Sequence, residues 1–339
     1  MRGAVQEVYK AIVDEVNETP LVPAGLSLIG SSSEYGPPMD LYLKCEGMQK
    51  TGSFKYRGAW FVLSQLPTET LAKGLVATSS GNFGKALASA AYDLGVRRDL
   101  KIPISIVMPS RSRTSKIMAT KALGATVYLS GPSWSERQDV VNALQKSTGA
   151  SCVSTVNNPD ILLGQGTVGA EIMDQMRVYG EELDMIIAPC GSGGLLAGLA
   201  LAFHGSKTSV FGAEPSKEGA DDARRGRLQK RRIDRVDSST IADGLRCPVG
   251  KAAWEVIKRP EYVEDVYAVS DEEIQMAMGA LLKHNSLVVE PSAAAAVAVA
   301  LFSASFHERV EEHRGRRCRV GVVLTGGNID LEDYALLIR

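Results

Sequence analysis

The chain has 339 residues, of which 45% are hydrophobic and 23% charged, with a formal net charge of −1. That length exceeds what a single hydrophobic core usually sustains, so two domains are expected. A near-neutral balance supplies no field to recruit nucleic acid or an anionic membrane, so the expected partner is a small molecule recognised locally.

The opening segment, MRGAVQEVYKAIVDEV, sets Val5, Val8, Ile12 and Val16 at helical spacing and lacks the apolar core of a signal peptide. An amphipathic helix is predicted there. From about residue 75, short β-rich runs alternate with helical patterns. GLVAT precedes FGKALASAAYDLG, ISIVM precedes SKIMATKALG, and ATVYL precedes a polar helix running through Gln145. SCVST leads to a helical stretch from Thr167 to Tyr179, DMIIAP leads to LLAGLALAFHG, and TSVFGAE ends at Glu214. Strand, helix, strand at this spacing requires crossover connections and parallel sheets, so the class is α/β.

Between Lys217 and Ser239 the pattern gives way to an Arg-rich stretch with no interleaved aromatics, which reads as a solvated helix face. Helices resume at SDEEIQMAMGALLKHN, where Ser270 is the expected N-cap with Glu273 three residues on. A small-residue helix, SAAAAVAVALF, and a last strand, RVGVVLT, follow. The longest apolar run, Ala293 to Phe302, is too short to span a bilayer, and a cytoplasmic location is expected. Five scattered cysteines without a C-x-x-C pair argue against a disulfide framework or a zinc site. His204, His284, His307 and His313 show no metal-ligand spacing and read as surface or interface residues.

Four loops beside predicted strands carry the chemistry. In TGSFKYRGA, Lys55 read alone is an ordinary surface lysine; desolvated, it would be a nucleophile for an aldehyde. TSSGNFG (Thr78 to Gly84) opens a helix with exposed amides that suit a carboxylate or a phosphate, or simply form a capped turn. PCGSGGLLAG (Pro189 to Gly198) lets the backbone wrap a phosphate, yet matches neither a Walker loop nor the G-x-G-x-x-G dinucleotide pattern. LTGGNID (Leu324 to Asp330) brings Thr325 and Asn328 to the end of the last strand. In open α/β sheets ligands bind outside the carboxyl ends of strands, so the last three loops can converge.

KCEGMQKTGSFKYRGAW, TSSGNFGKA, GQGTVGAEI, PCGSGGLLAG, TIADGL, VVEPSAAAAVA and LTGGNID occur in the order found in fold type II pyridoxal-phosphate enzymes, from about Thr19 to Asp330. The chain resembles the branch containing serine racemase and the catabolic serine/threonine dehydratases. The resemblance implies a tryptophan synthase β-like architecture of open twisted sheets flanked by helices. It implies a large domain of residues 1–69 with 154–339, and a small mobile domain of residues 70–153 that closes on the substrate. Lys55 would form the imine with pyridoxal phosphate, with Phe54 beside the ring. Ser80 would be the second acid/base on the opposite face. Ser79, Ser80, Gly81 and Asn82 would meet the substrate, Asn82 also touching the ring hydroxyl. Gly191, Ser192, Gly193 and Gly194 would cradle the phosphate, with Ser192 replacing a glycine of the usual loop, and Thr325 would face the pyridine nitrogen. Glu214, the carbonyl of Ala220 and Asp222 resemble a divalent-cation site suited to Mg²⁺ or Ca²⁺. Arg137 resembles an active-site arginine able to take a second carboxylate.

Where the family has His and later Gln, this chain has Phe83, expected to alter the wall near the substrate, and Lys85, expected to be solvated. The implied reaction is elimination of water and ammonia from L-serine, L-threonine or 3-hydroxyaspartate, because a hydroxyl at the ring nitrogen stabilises a lasting carbanion less than a carboxylate would. The alternatives are an amino-acid racemase, a β-replacement synthase, or a cofactor-binding protein without turnover. The resemblance also implies a homodimer.

Overall fold

The computed structural model describes residues 2–24, 35–79, 81–131, 133–313 and 316–339. Its described strands form two sheets. The larger has the order β1 (Leu21–Pro23), β2 (Met39–Cys45), β10 (Cys318–Leu324), β7 (Met185–Pro189), β8 (Ser209–Pro215) and β9 (Asp265–Val269). β1 runs antiparallel to β2, and the other pairs are parallel. The smaller sheet has the order β5 (Thr126–Ser130), β4 (Ile104–Pro109), β3 (Leu75–Thr78) and β6 (Ser151–Cys152), all parallel.

Alternation along the strands fills both faces of the larger sheet. Met185 and Ile187 join Phe211 and Ala213 in one core, while Ile186 and Ala188 join Val210 and Val266 in the other. The helices Asp271–Asn285 and Pro291–Phe302 cover the first face; Pro159–Val178, Gly194–Phe203 and Lys251–Ile257 cover the second. On the small sheet, Leu75, Ala77, Ile104, Ile106 and Met108 pack against the helices Lys55–Ser64 and Asn82–Arg98. Val76 and Val107 pack on its other face against Val141 of the helix Trp134–Thr148.

Several elements depart from expectation. The helix expected from Thr167 begins at Pro159, because the Asn158 side chain caps the amide of Asp160 at 2.9 Å and Pro159 occupies the first turn. Gly164 and Gly166 interrupt its apolar pattern and hide that start. β1, β2 and β9 lie outside the predicted strands; β2 carries Lys44, a charge in a buried position. The Arg-rich stretch holds one α-helix, Asp222–Leu228, after a short 3-10 turn at Lys217–Gly219. Ser270 and Glu273 do form a reciprocal cap. All five cysteines are free, and no single described helix is long and apolar enough to cross a membrane.

Lys44 belongs to a cluster of four buried charges. Arg57 donates to both oxygens of Glu46, at 2.9 and 2.7 Å, and to both of Glu171, at 3.0 and 2.8 Å. Lys44 pairs with Glu171 and donates to the Thr19 carbonyl at 2.6 Å, while the Thr19 hydroxyl donates to Glu46 at 2.6 Å. Burial alone would push Glu171 up, but Arg57 and Lys44 hold it below the usual carboxylate range. Two cations balance two carboxylates, and each is hydrogen-bonded, which is the condition under which charges tolerate burial. The cluster ties β2, the helix Pro159–Val178 and the helix that begins at Lys55 into one unit.

Arg57→Leu leaves two carboxylates buried without their shared partner. It is expected to lower the unfolding free energy by about 3–5 kcal/mol in denaturant titrations. Lys10→Ala, which removes an exposed pair with Glu7, should change it by less than about 1 kcal/mol.

Candidate active site

The loops that precede Lys55 and follow β10 are stitched together by backbone hydrogen bonds. Phe54 N–H donates to the Thr325 carbonyl at 3.2 Å and Gly327 N–H to the Gly52 carbonyl at 3.1 Å, with an antiparallel bridge between Ser53 and Gly326. The Asn328 amide nitrogen donates to the Thr51 carbonyl at 2.9 Å. This approach needs Gly52: its φ is 76°, and a Cβ there would lie 2.5 Å from Asn328 Oδ1. Lys55 and the buried Thr325 therefore share the carboxyl end of β10, with the Lys55 amine 4.5 Å from the centre of the Phe54 ring.

Lys55 is half-buried by area, yet enough protein surrounds its amine that burial pulls its pKa below that of an ordinary lysine. Cys247 and Glu290 act on it in the opposite sense. Cys247 in turn lies within electrostatic reach of Lys55 and interacts with the backbone of Ser192, and burial raises its thiol pKa. Glu290 is buried immediately before the helix Pro291–Phe302, and desolvation pushes its carboxyl up to about 7. The Asn82 amide nitrogen donates to both Glu290 oxygens, at 2.9 and 3.0 Å.

Asn82 begins the helix Asn82–Arg98 at the end of β3. Ser79 Oγ accepts from the amides of Gly81 and Gly84 at 3.1 and 2.8 Å, so its hydroxyl closes the turn into that helix. Ser80, expected as the second acid/base, lies outside the described residues. Phe83, expected at the wall near the substrate, is buried in the core of the smaller sheet with Ala86 and Leu87. Lys85, expected to be solvated, is half-buried and donates to Asn328 Oδ1 at 2.7 Å, because one helical turn places it on the face Asn82 presents to that loop. Lys116 pairs with Asp243, and its Nζ would lie 3.5 Å from a Cβ on Gly81.

The third loop opens the helix Gly194–Phe203, whose N-cap, Gly193, has φ 81° and offers no side-chain cap. A Cβ on Gly191 would strike the Gly244 carbonyl at 2.7 Å, and one on Gly193 would meet Ile257 at 2.8 Å. A Cβ on Gly194 would meet nothing within 4 Å. Packing thus closes the loop on the protein side and leaves open space at the helix N-terminus, where free amides and the helix dipole suit a phosphate. Ser192 O accepts from Gly250 N–H at 3.1 Å.

Glu214 and Asp222 are both buried. Glu214 accepts from the amides of Ala223 and Arg224 at 2.9 and 3.0 Å, and Asp222 from that of Val249 at 2.9 Å. Desolvation raises both carboxyls, Glu214 further through Asp222 beside it. Ala220 is fully buried between them in sequence. Arg137 is half-buried on the helix Trp134–Thr148; burial and Arg111 push its pKa down, against Glu136, which raises it. At the opposite edge of the larger sheet, Asp184, His313 and Cys318 converge, a grouping not evident from their spacing. Both Asp184 oxygens are taken there by Arg316 and the Arg319 amide.

The residues missed by sequence reasoning are Glu290, Lys116, Asp243, Asn328 as an amide partner, and Cys247. For Glu290 a signal existed: a lone carboxylate between an apolar run and a proline-started alanine helix needs a reason to be buried.

This arrangement, a desolvated lysine and a glycine-lined anion cradle at the carboxyl edge of a parallel sheet, is that of a cofactor enzyme with the tryptophan synthase β-like fold. A family model described as pyridoxal-phosphate dependent enzyme matches residues 12–326, and the chain belongs to that family. It is 34% identical to the serine racemase of Arabidopsis thaliana, over 97% of this chain and 93% of that protein. It is also 34% identical to an L-threo-3-hydroxyaspartate ammonia-lyase of a Pseudomonas species, over 88% of each. The structure of maize serine racemase superposes with a TM-score of 0.87 at 33% identity, covering 98% of this chain and 95% of that one. The chain is an enzyme of this ammonia-lyase and racemase kind.

A carboxyl raised from 4.5 to about 7 is a group the folded protein prefers protonated. Between those values the native state binds the extra proton, so this contribution to stability falls as pH rises and is fully lost above 7. Replacing Glu290 by Gln in the cofactor-free protein is expected to raise its stability relative to the parent by up to about 3 kcal/mol more at pH 8 than at pH 4. Parallel unfolding curves at the two pH values check this.

Proposed function

We propose that the enzyme removes water and then ammonia from a small 3-hydroxy amino acid, releasing a keto acid. The observation that carries this reading is the desolvated Lys55 amine, on a loop that Phe54 N–H ties to the Thr325 carbonyl, with Cys247 acting on that amine and interacting with the backbone of Ser192 in the glycine loop. When bound, pyridoxal phosphate supplies the aldehyde for an amine and a ring that withdraws electrons from the substrate α-carbon. Phe54 would pack beside that ring, Asn82 would donate toward its hydroxyl, and Gly191, Ser192, Gly193 and Gly194 would hold the phosphate. Thr325 would offer the ring nitrogen a hydroxyl, which would not keep it protonated as a carboxylate would, and this favours elimination of a β-leaving group.

Burial lowers the pKa of Lys55, which favours its amine as the base that takes the α-proton. Ser79, Ser80, Gly81 and Asn82 bind the substrate carboxylate through the helix N-terminus, and Arg137 serves substrates with a second carboxylate, such as 3-hydroxyaspartate. The relatives named for hydroxyaspartate elimination support this choice. Residues 70–153 would close on the remainder, 1–69 with 154–339. Glu214, the Ala220 carbonyl and Asp222 would hold Mg²⁺ or Ca²⁺, since a divalent cation offsets the cost of burying two carboxyls that desolvation raises, Glu214 further through Asp222. A cytoplasmic homodimer completes the reading. Racemisation of serine is the second reading, favoured by the identity to plant serine racemase; it would use Ser80 to return the proton from the other face.

Keto-acid release from L-serine, L-threonine and 3-hydroxyaspartate, scored against D-serine formation, separates the two reactions. Lys55→Ala is expected to lose turnover by at least three orders of magnitude together with the visible absorbance band of the lysine–aldehyde linkage. A variant that retained both would overturn the assignment. Mg²⁺ or Ca²⁺ is expected to raise the melting temperature of the parent and to leave that of Glu214→Gln unchanged.

A further inference from the structure

We propose that Lys85 is a positioning residue: through the paired amides of Asn328 and Asn82 it fixes which way the Asn82 carboxamide faces, keeping Asn82 a donor toward Glu290 and the cofactor. The inference rests on the cofactor reading given above. It starts from what each group can do. An ammonium only donates, and an ionised carboxylate only accepts, whereas a carboxamide does both and can turn over. Lys85 donates to Asn328 Oδ1 at 2.7 Å, which commits that oxygen. Asn328 must then present its nitrogen inward, where it donates to the Thr51 carbonyl and to Asn82 Oδ1, each at 2.9 Å. Asn82, having accepted through its oxygen, has only its nitrogen for Glu290. One polarity therefore runs from cation to carboxylate through two amides, and neither amide can reverse without breaking contacts at both of its ends.

The carboxylate end is the one that titrates. Glu290 is faced by Asn82, Asp243, Lys116 and Lys55, and Lys85 feels its charge in turn. Burial and Lys116 lower the Lys85 pKa while Glu290 raises it. Once Glu290 gains a proton it can donate, and its O–H is satisfied equally well by an Asn82 oxygen turned toward it. Without Lys85, only the Thr51 and Gly52 carbonyls still hold the Asn328 nitrogen inward, and the two amides reverse together more readily as Glu290 protonates. A neutral glutamine at position 85 could donate or accept and would not enforce the direction. Lysine does.

The test measures pyridoxal-phosphate affinity between pH 6 and pH 8, on either side of the Glu290 midpoint of about 7, through the visible absorbance band. Lys85→Met is expected to bind about tenfold more weakly at pH 6 than at pH 8, relative to the parent, as one donor is lost. Lys85→Arg, which keeps a donor-only cation, should follow the parent, and adding Glu290→Gln to Lys85→Met should abolish the pH step. An unchanged pH dependence in Lys85→Met, or Lys85→Arg behaving like Lys85→Met, overturns the proposal. A parent that never forms the band counts against the cofactor reading instead, and carboxyl NMR of Glu290 in the cofactor-free protein then decides on Lys85. There, reversal of the amides should raise the Glu290 midpoint in Lys85→Met and not in Lys85→Arg; an unmoved midpoint in Lys85→Met overturns the inference.

Discussion

Two carboxylates shared between two cations, with no water-exposed edge, hold the position from which the chemistry proceeds. Arg57 lies two residues after Lys55, and its guanidinium spans Glu46 and Glu171 in bidentate fashion. A residue so constrained cannot shift along or rotate about its helix without separating buried charges, a cost of several kcal/mol. The helix that begins at Lys55 is therefore fixed in register against β2 and the helix Pro159–Val178. The amine inherits that precision at no cost to its own freedom to react, because the constraint sits on the neighbouring turn.

Around that fixed point the groups differ in how burial acts on them. Lys55 is driven toward neutrality, and Glu290, Glu214 and Asp222 toward protonation. Each is brought there by the carboxyl ends of parallel strands or by the loops stitched to them, and the smaller sheet contributes Asn82, Lys85 and Lys116 across a polar seam. The seam carries ion pairs between Lys116 and Asp243 and between Arg113 and Asp333, with Ser115 donating to Asp330 at 2.9 Å.

Alternation of β-rich and helical runs made the parallel sheets legible, and the glycine loops announced the edge where a ligand would bind. What could not be read was burial at single positions. β2 hides because Lys44 occupies a core position only its carboxylate partners make tolerable. The start of the helix at Pro159 hides because Gly164 and Gly166 read as breakers, whereas both sit where other backbone approaches closely. Lys85 looked like any solvated lysine, since its partner Asn328 lies 243 residues away in the chain. Contacts of that separation leave no local pattern, and the same holds for Cys247.

Cys247 stands within electrostatic reach of Lys55, so an aldehyde bound by the proposed site would find an amine and a thiol in one buried environment. One environment acts on both in opposite chemical directions. Taking the pair out of water lowers the lysine pKa and so favours the nucleophilic amine, and the same dryness raises the thiol pKa and disfavours the reactive thiolate. Selectivity for carbon–nitrogen over carbon–sulfur bond formation thus needs no separate shielding group; it is a by-product of a shared low dielectric.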